Sequence, residues 1–221
     1  MLKVVRAWAL THTSERRYSP VGIGFHWVMA IFIVGMLAIG WVMGRLDPGS
    51  AKLTVFELHM GIGLITLVLS LLRLVWRVLI PGPVNDADNL GWQTTVAHLT
   101  HAAFYLCFIG LPVSGWLTWS AFAGSDRLNL GFVHIPPFPF ESLPFATKAF
   151  VLYWADTTHH VLNWLLLLVI PAHIGAALKH HFWDEHDVLV GMLPVLASDE
   201  PVANSKRKPR LRKSRGQSKP D

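Results

Sequence analysis

The chain has 221 residues, is 52% hydrophobic and only 15% charged, and has a mean hydropathy of +0.40 with a formal net charge of +5. Soluble domains carry about 25% charged residues, so this composition excludes an ordinary soluble enzyme and points to an integral membrane protein. One cysteine, Cys107, excludes a disulfide within the chain.

Residues 1–17 mix Val, Trp and Leu with Arg and read as a short segment with an interfacial helix, not as a cleavable signal peptide. Tyr18-Ser-Pro opens the first span, with Pro20 suited to a first helical turn and Ser19 to its cap. Val21 to Gly44 is 24 residues without Asp, Glu, Lys or Arg, and Gly40-Trp-Val-Met-Gly44 is a small-xxx-small pattern that permits close packing. Asp47-Pro-Gly-Ser reads as a turn. The second span starts near Thr54 and ends before Pro81-Gly-Pro; Arg73 and Arg77 are expected to snorkel from its far end. Gly61 and Gly63 follow His59 and leave room beside it.

The third span runs from about Trp92 through Trp119, with Pro112 as an expected kink and Cys107 as a small buried hydrophobe. Residues 120–150 read as a long external segment whose Phe132, Phe138, Phe140 and Phe145 lie along the membrane surface. Thr157 to Leu178 is the fourth span, 22 residues. Trp27, Trp41, Trp76, Trp116, Trp119, Tyr153, Trp154 and Trp183 sit near span ends, as an interfacial aromatic belt requires. The expected fold is an all-α integral membrane four-helix bundle, up-down-up-down. Residues 18–195 form the bundle, and 196–221 a basic, disordered tail with no nucleic-acid role.

Orientation follows from Lys and Arg. With four spans, both termini and the link between spans two and three share one side, and that side holds fifteen of the nineteen cations. The other side holds only Arg45, Lys52, Arg127 and Lys148. Both termini are therefore expected to be cytoplasmic.

His159 and His173 lie fourteen residues apart on the fourth span. Fourteen helical residues rise roughly 21 Å and turn the side chains only about 40° apart, so both imidazoles leave one face at two membrane depths. His160 would turn about 140° away from His173, which makes His159 the better partner. On the first two spans, the up-down topology puts His26 at the depth of His173 and His59 at the depth of His159. Ionisable groups at membrane depth mark function. Two pairs at two depths are what two bis-histidine haems require, whereas a zinc site needs three or four ligands at one depth. Without Cys-x-x-Cys-His, any haem is non-covalent. Asp156, one turn before His159, reads mainly as an interfacial carboxylate. His98 and His101, with Tyr105, face propionates, a quinone or headgroups; His180 is on the face of His173 and further toward the cytoplasm, beside a second redox partner. His12, His134 and His186 read as surface residues.

Several stretches closely resemble the prokaryotic cytochrome b561 family: Tyr18-Ser-Pro with Phe25-His26-Trp27, Leu58-His59-Met60-Gly61, Arg73-Leu-Val-Trp-Arg77, Ala97-His98-Leu99-Thr100-His101, Leu111-Pro-Val-Ser-Gly115, and His173 with His180-His181-Phe182-Trp183. The resemblance spans about residues 18–195. It implies two b haems in the bacterial inner membrane, with His26, His59, His159 and His173 as axial ligands. It further implies superoxide:ubiquinone oxidoreductase activity and a quinone contact near His180. The external segments, at four cations against five carboxylates, carry a net −1, which does not favour an anionic substrate. Two rivals follow: an electron-relay subunit that docks a partner redox protein and feeds quinone, and a haem-free transporter using histidines for protons or metal.

Overall fold

The computed structural model describes residues 2–11, 18–80, 91–123, 128–129, 134–184 and 189–193. The expected tail, His12 and His186 lie outside these residues. A short helix, α1 (Leu2–Thr11), precedes four long ones: α2 (Pro20–Met43), α3 (Ser50–Leu79), α4 (Trp92–Ala123) and α5 (Phe145–Phe182). Between α4 and α5, Leu128–Asn129 (β1) pairs antiparallel with His134–Ile135 (β2), and a 3₁₀ turn, Val190–Met192, follows α5.

Each long helix is apolar enough to cross a membrane. At about 1.5 Å per residue, even the shortest exceeds a hydrocarbon core of roughly 30 Å. Successive spans run antiparallel. We call proximal the end where α2 and α4 begin and α3 and α5 end, and distal the other.

Ser19 caps α2, its hydroxyl accepting the Gly22 amide at 3.2 Å, with Pro20 in the first turn as expected. α5 is longer than the uncharged run suggested: it starts at Phe145 after Pro144, so the last part of the expected loop is helix. Pro112 lies within a continuous α4, and Pro171 within a continuous α5.

Large apolar side chains on the outer faces are exposed, among them Ile31, Val68, Leu106 and Leu168. Lipid replaces water there, so apolar exposure is the stable arrangement. Inside, small polar residues return their hydroxyls to their own helices: Thr66 Oγ1 to the Ile62 carbonyl at 2.8 Å and Ser70 Oγ to the Thr66 carbonyl at 2.7 Å. The central core joins Met29 and Ile33 of α2, Cys107 and Phe108 of α4, and Leu162 and Leu166 of α5. Cys107 is fully buried, as expected, and its Sγ donates to the Leu162 carbonyl at 3.6 Å.

The distal end is closed by the segment after β2. Trp116 Nε1 donates to the Pro136 carbonyl at 3.2 Å, the Phe138 amide donates to Ser120 Oγ at 3.0 Å, and Phe138 lies 4.4 Å from the Trp116 ring. Phe138 therefore folds onto the bundle and not along the membrane surface; Phe145 is exposed, and Phe132 lies outside the described residues. Trp119 is 8% exposed, in a distal core with Met60, so neither it nor Trp116 belongs to an interfacial belt. Trp41, Trp154 and Trp183 are exposed as a belt requires.

Candidate haem sites

α2 packs on α3, α3 on α4, and α4 closely on α5, whereas α2 and α5 meet only sparingly. The histidines cross the loosely packed interior. His26 of α2 and His173 of α5 face each other at the proximal end with ring centres 6.3 Å apart. His59 of α3 and His159 of α5 do the same at the distal end, also at 6.3 Å. A metal held by two imidazoles, with bonds of about 2 Å, sets their ring centres roughly 6 Å apart.

The distal couple is shaped by glycines. A Cβ on Gly40 would lie 3.3 Å from His59 Cε1, and one on Gly115 would lie 3.4 Å from His159 Cε1 and Nδ1. The close-packing pattern of α2 thus seats a histidine. Gly63, expected to leave room beside His59, instead faces Met36 at 3.5 Å, which is ordinary helix packing. His159 Nδ1 lies 3.0 Å from the Leu111 carbonyl and 3.2 Å from Ser114 Oγ. The carbonyl fixes Nδ1 as the protonated nitrogen and leaves the Nε2 lone pair free. Asp156 does not share in this. It lies 3.8 Å from the exposed His160, and both are surface groups.

The proximal couple has a third neighbour. His101 of α4 lies 6.1 Å from His173, ring centre to ring centre, and Phe104 lies 5.2 Å away, edge on. His98 is exposed, so the two α4 histidines part company: one lies on the outer surface and the other turns to the interior. Periodicity within α4 does not separate His101 from His98; the contact of His101 across to α5 does.

His180 is half-buried at the end of α5, with Nδ1 2.7 Å from Asp184 Oδ2. Lys179 Nζ donates to the same oxygen at 2.7 Å. Lys179 first, and His180 with it, hold the Asp184 carboxyl below the usual carboxylate range, so it is ionised at neutral pH. His181 packs edge-on against Phe182, and His134 is exposed on β2.

A family profile described as prokaryotic cytochrome b561 matches residues 17–195. The chain belongs to the prokaryotic cytochrome b561 family. It is therefore a membrane electron-transfer protein, multi-pass in the bacterial inner membrane, and family membership implies haem b. Curated relatives agree. Cytochrome b561 homolog 2 of Escherichia coli (strain K12) is 31% identical over 194 residues, covering 86% of this chain and 98% of the relative. Cytochrome b561 homolog 1 of the same strain is 29% identical over 181 residues, 80% and 97% of the two chains. A protein of Yersinia pestis named probable superoxide oxidase CybB is 27% identical over 185 residues, 81% and 97%.

The interior of this cytochrome b561 fits the group its family implies. Among the described residues, two buried polar atoms have no partner, His59 Nδ1 and Thr118 Oγ1, and both lie in the distal half of the bundle. An unpartnered buried polar group costs about 1–3 kcal/mol, so such atoms mark a place where something else belongs. No cluster of three or more His, Cys, Asp or Glu able to hold a bare metal ion occurs among the described residues. Paired imidazoles suit an iron whose other four ligands come from a macrocycle.

Proposed function

We propose that this protein holds two b-type haems, one between His26 and His173 and one between His59 and His159, and that it oxidises superoxide on the periplasmic side while reducing ubiquinone. The observation that carries this reading is the pair of facing imidazole couples at opposite ends of the bundle, each at 6.3 Å. His101 lies as close to His173 as His26 does, but α4 and α5 are closely packed, while the interval between α2 and α5 is the open one. A flat macrocycle needs that opening. The bias of cations to the proximal side supports cytoplasmic termini and a periplasmic distal site.

When bound, the haems supply the one-electron chemistry that links a one-electron donor to a two-electron acceptor. Two superoxide anions give two electrons and leave as two dioxygen molecules; ubiquinone takes the two electrons and two protons to become ubiquinol. The chain's own residues position and protonate. The Leu111 carbonyl orients His159, and the segment after β2 is tied to Trp116 at the same end. At the proximal end His180 is the quinone contact, with Asp184 accepting from Nδ1 and orienting the ring. The name of the Yersinia relative supports the substrate.

A pulse of superoxide onto purified protein tests this. Haem absorption should pass to the reduced form, and added ubiquinone should reoxidise it. Reduction no faster than for the same haem free in detergent would end the superoxide reading.

The net −1 of the external segments favours a second reading, a relay fed by a partner redox protein. A stoichiometric partner co-purifying from native membranes would select it. The haem-free transporter predicts a colourless protein.

A further inference from the structure

Among the described residues, no carboxylate lies beside Arg73, a cation inside the bundle. Both Arg73 and Arg77 were expected to snorkel toward headgroups. Arg77 does and is exposed; Arg73 is half-buried and turns inward. Its Nη2 lies 3.4 Å from His26 Nδ1, and its Nη1 lies 3.7 Å from Met29 Sδ. Neither neighbour is an acid.

No described carboxylate answers it. Asp47, Glu57, Glu141 and Asp156 belong to the distal half, and Asp184 is engaged by Lys179 and His180. A guanidinium does not shed its proton, and an uncompensated charge at this depth is costly. Its planar fork of donors matches one thing best, a carboxylate taken in two parallel hydrogen bonds.

We propose that Arg73 would bind a propionate carboxylate of the proximal haem, beside the ligand His26. The inference rests on the two-haem reading. It also resolves a conflict at His26. Arg73 can donate to Nδ1 only while that nitrogen has a free lone pair. Once Nε2 takes iron, Nδ1 carries the proton, two donors face each other, and the arginine needs another acceptor. A carboxylate nearby supplies it. A lipid phosphate offers similar chemistry, but the guanidinium points to His26 and away from the exposed Leu72 and Val75 beside it.

The test uses full-length protein in nanodiscs of neutral lipid, comparing wild type with Arg73→Gln, Arg73→Lys and Arg77→Gln. The readouts are haem per chain, the midpoint potential of each haem and the rate of haem transfer to apomyoglobin. Arg73→Gln should lower one midpoint potential, that of the haem lost in His173→Ala, because removing a cation and baring a carboxylate both favour ferric iron. The other potential should hold. Arg73→Lys should keep the potential near wild type but release that haem several-fold faster, since the ammonium lacks the fork. Arg77→Gln should change nothing. Should Arg73→Gln fail to load the haem, a loss confined to that one haem supports the proposal, and the Arg73→Lys release rate decides it. Unchanged potential and release in both Arg73 variants would overturn it. A shift that appears only when phosphatidylglycerol is added would also overturn it, in favour of a lipid headgroup. A wild type without two low-spin haems would instead remove the underlying reading.

Discussion

Gly40 and Gly115 act through the hydrogen each carries in place of a side chain. Each backs a distal imidazole so closely that a Cβ would already be in tight contact. Gly40→Leu or Gly115→Leu should displace the ring and lower haem from two per chain toward one. Gly24, with nothing within 4 Å of a Cβ, is the control, and Gly24→Leu should keep both. Ligand removal has the same signature: His59→Ala or His159→Ala should cost the distal haem, and His26→Ala or His173→Ala the proximal one. Pyridine haemochrome against protein mass reads all of these, and an unchanged ratio in any histidine variant refutes that ligand. The two couples were legible in sequence because helical rise and angle fix depth and direction along one helix. The glycine seats, the Leu111 carbonyl and the inward Arg73 were not. Each depends on which residue of a second helix lies opposite, and periodicity within one helix does not encode that.

Two elements have their own tests. α4 approaches α5 closely at Gly110, where a Cβ would come within 2.5 Å of Leu162 Cδ1, a side chain 7% exposed. Gly110→Ala should therefore overpack the core and cost about 1–3 kcal/mol, seen as a lower thermal midpoint in detergent with both haems retained. The end of α5 is tied by Asp184 to Lys179 and His180. Its folded pKa is depressed, so the carboxylate's contribution is present above the unfolded value and is lost as pH falls through the folded one. The clasp should persist through neutral pH and open only in acid. His180→Ala should slow quinone reduction by about ten-fold or more, the range of a lost acid–base group, while superoxide-driven haem reduction is unchanged. Stopped-flow traces of the two half-reactions separate these. At this scale α2 and α3 followed their hydropathy closely. α5 did not: hydropathy marks the part in lipid, and the helix continues twelve residues beyond the uncharged run, to Phe145. Trp116 and Trp119 misled for a related reason, since an aromatic near a span end suits a folded loop as well as a headgroup layer.

At the scale of the molecule, the two proposed haems at opposite ends of the bundle would make a path for charge across a bilayer, and direction depends on orientation. A C-terminal green fluorescent protein fusion should fluoresce and a C-terminal alkaline phosphatase fusion should be inactive, as the cation bias requires; the reverse would place the distal couple in the cytoplasm. The account stands on two irons, each between two imidazoles. Low-temperature electron paramagnetic resonance of the oxidised protein, with haem per chain, tests that most directly. Wild type should show two low-spin bis-histidine signals, and His159→Ala and His173→Ala should each retain a different one. A protein without such signals, or variants that keep both, would contradict it.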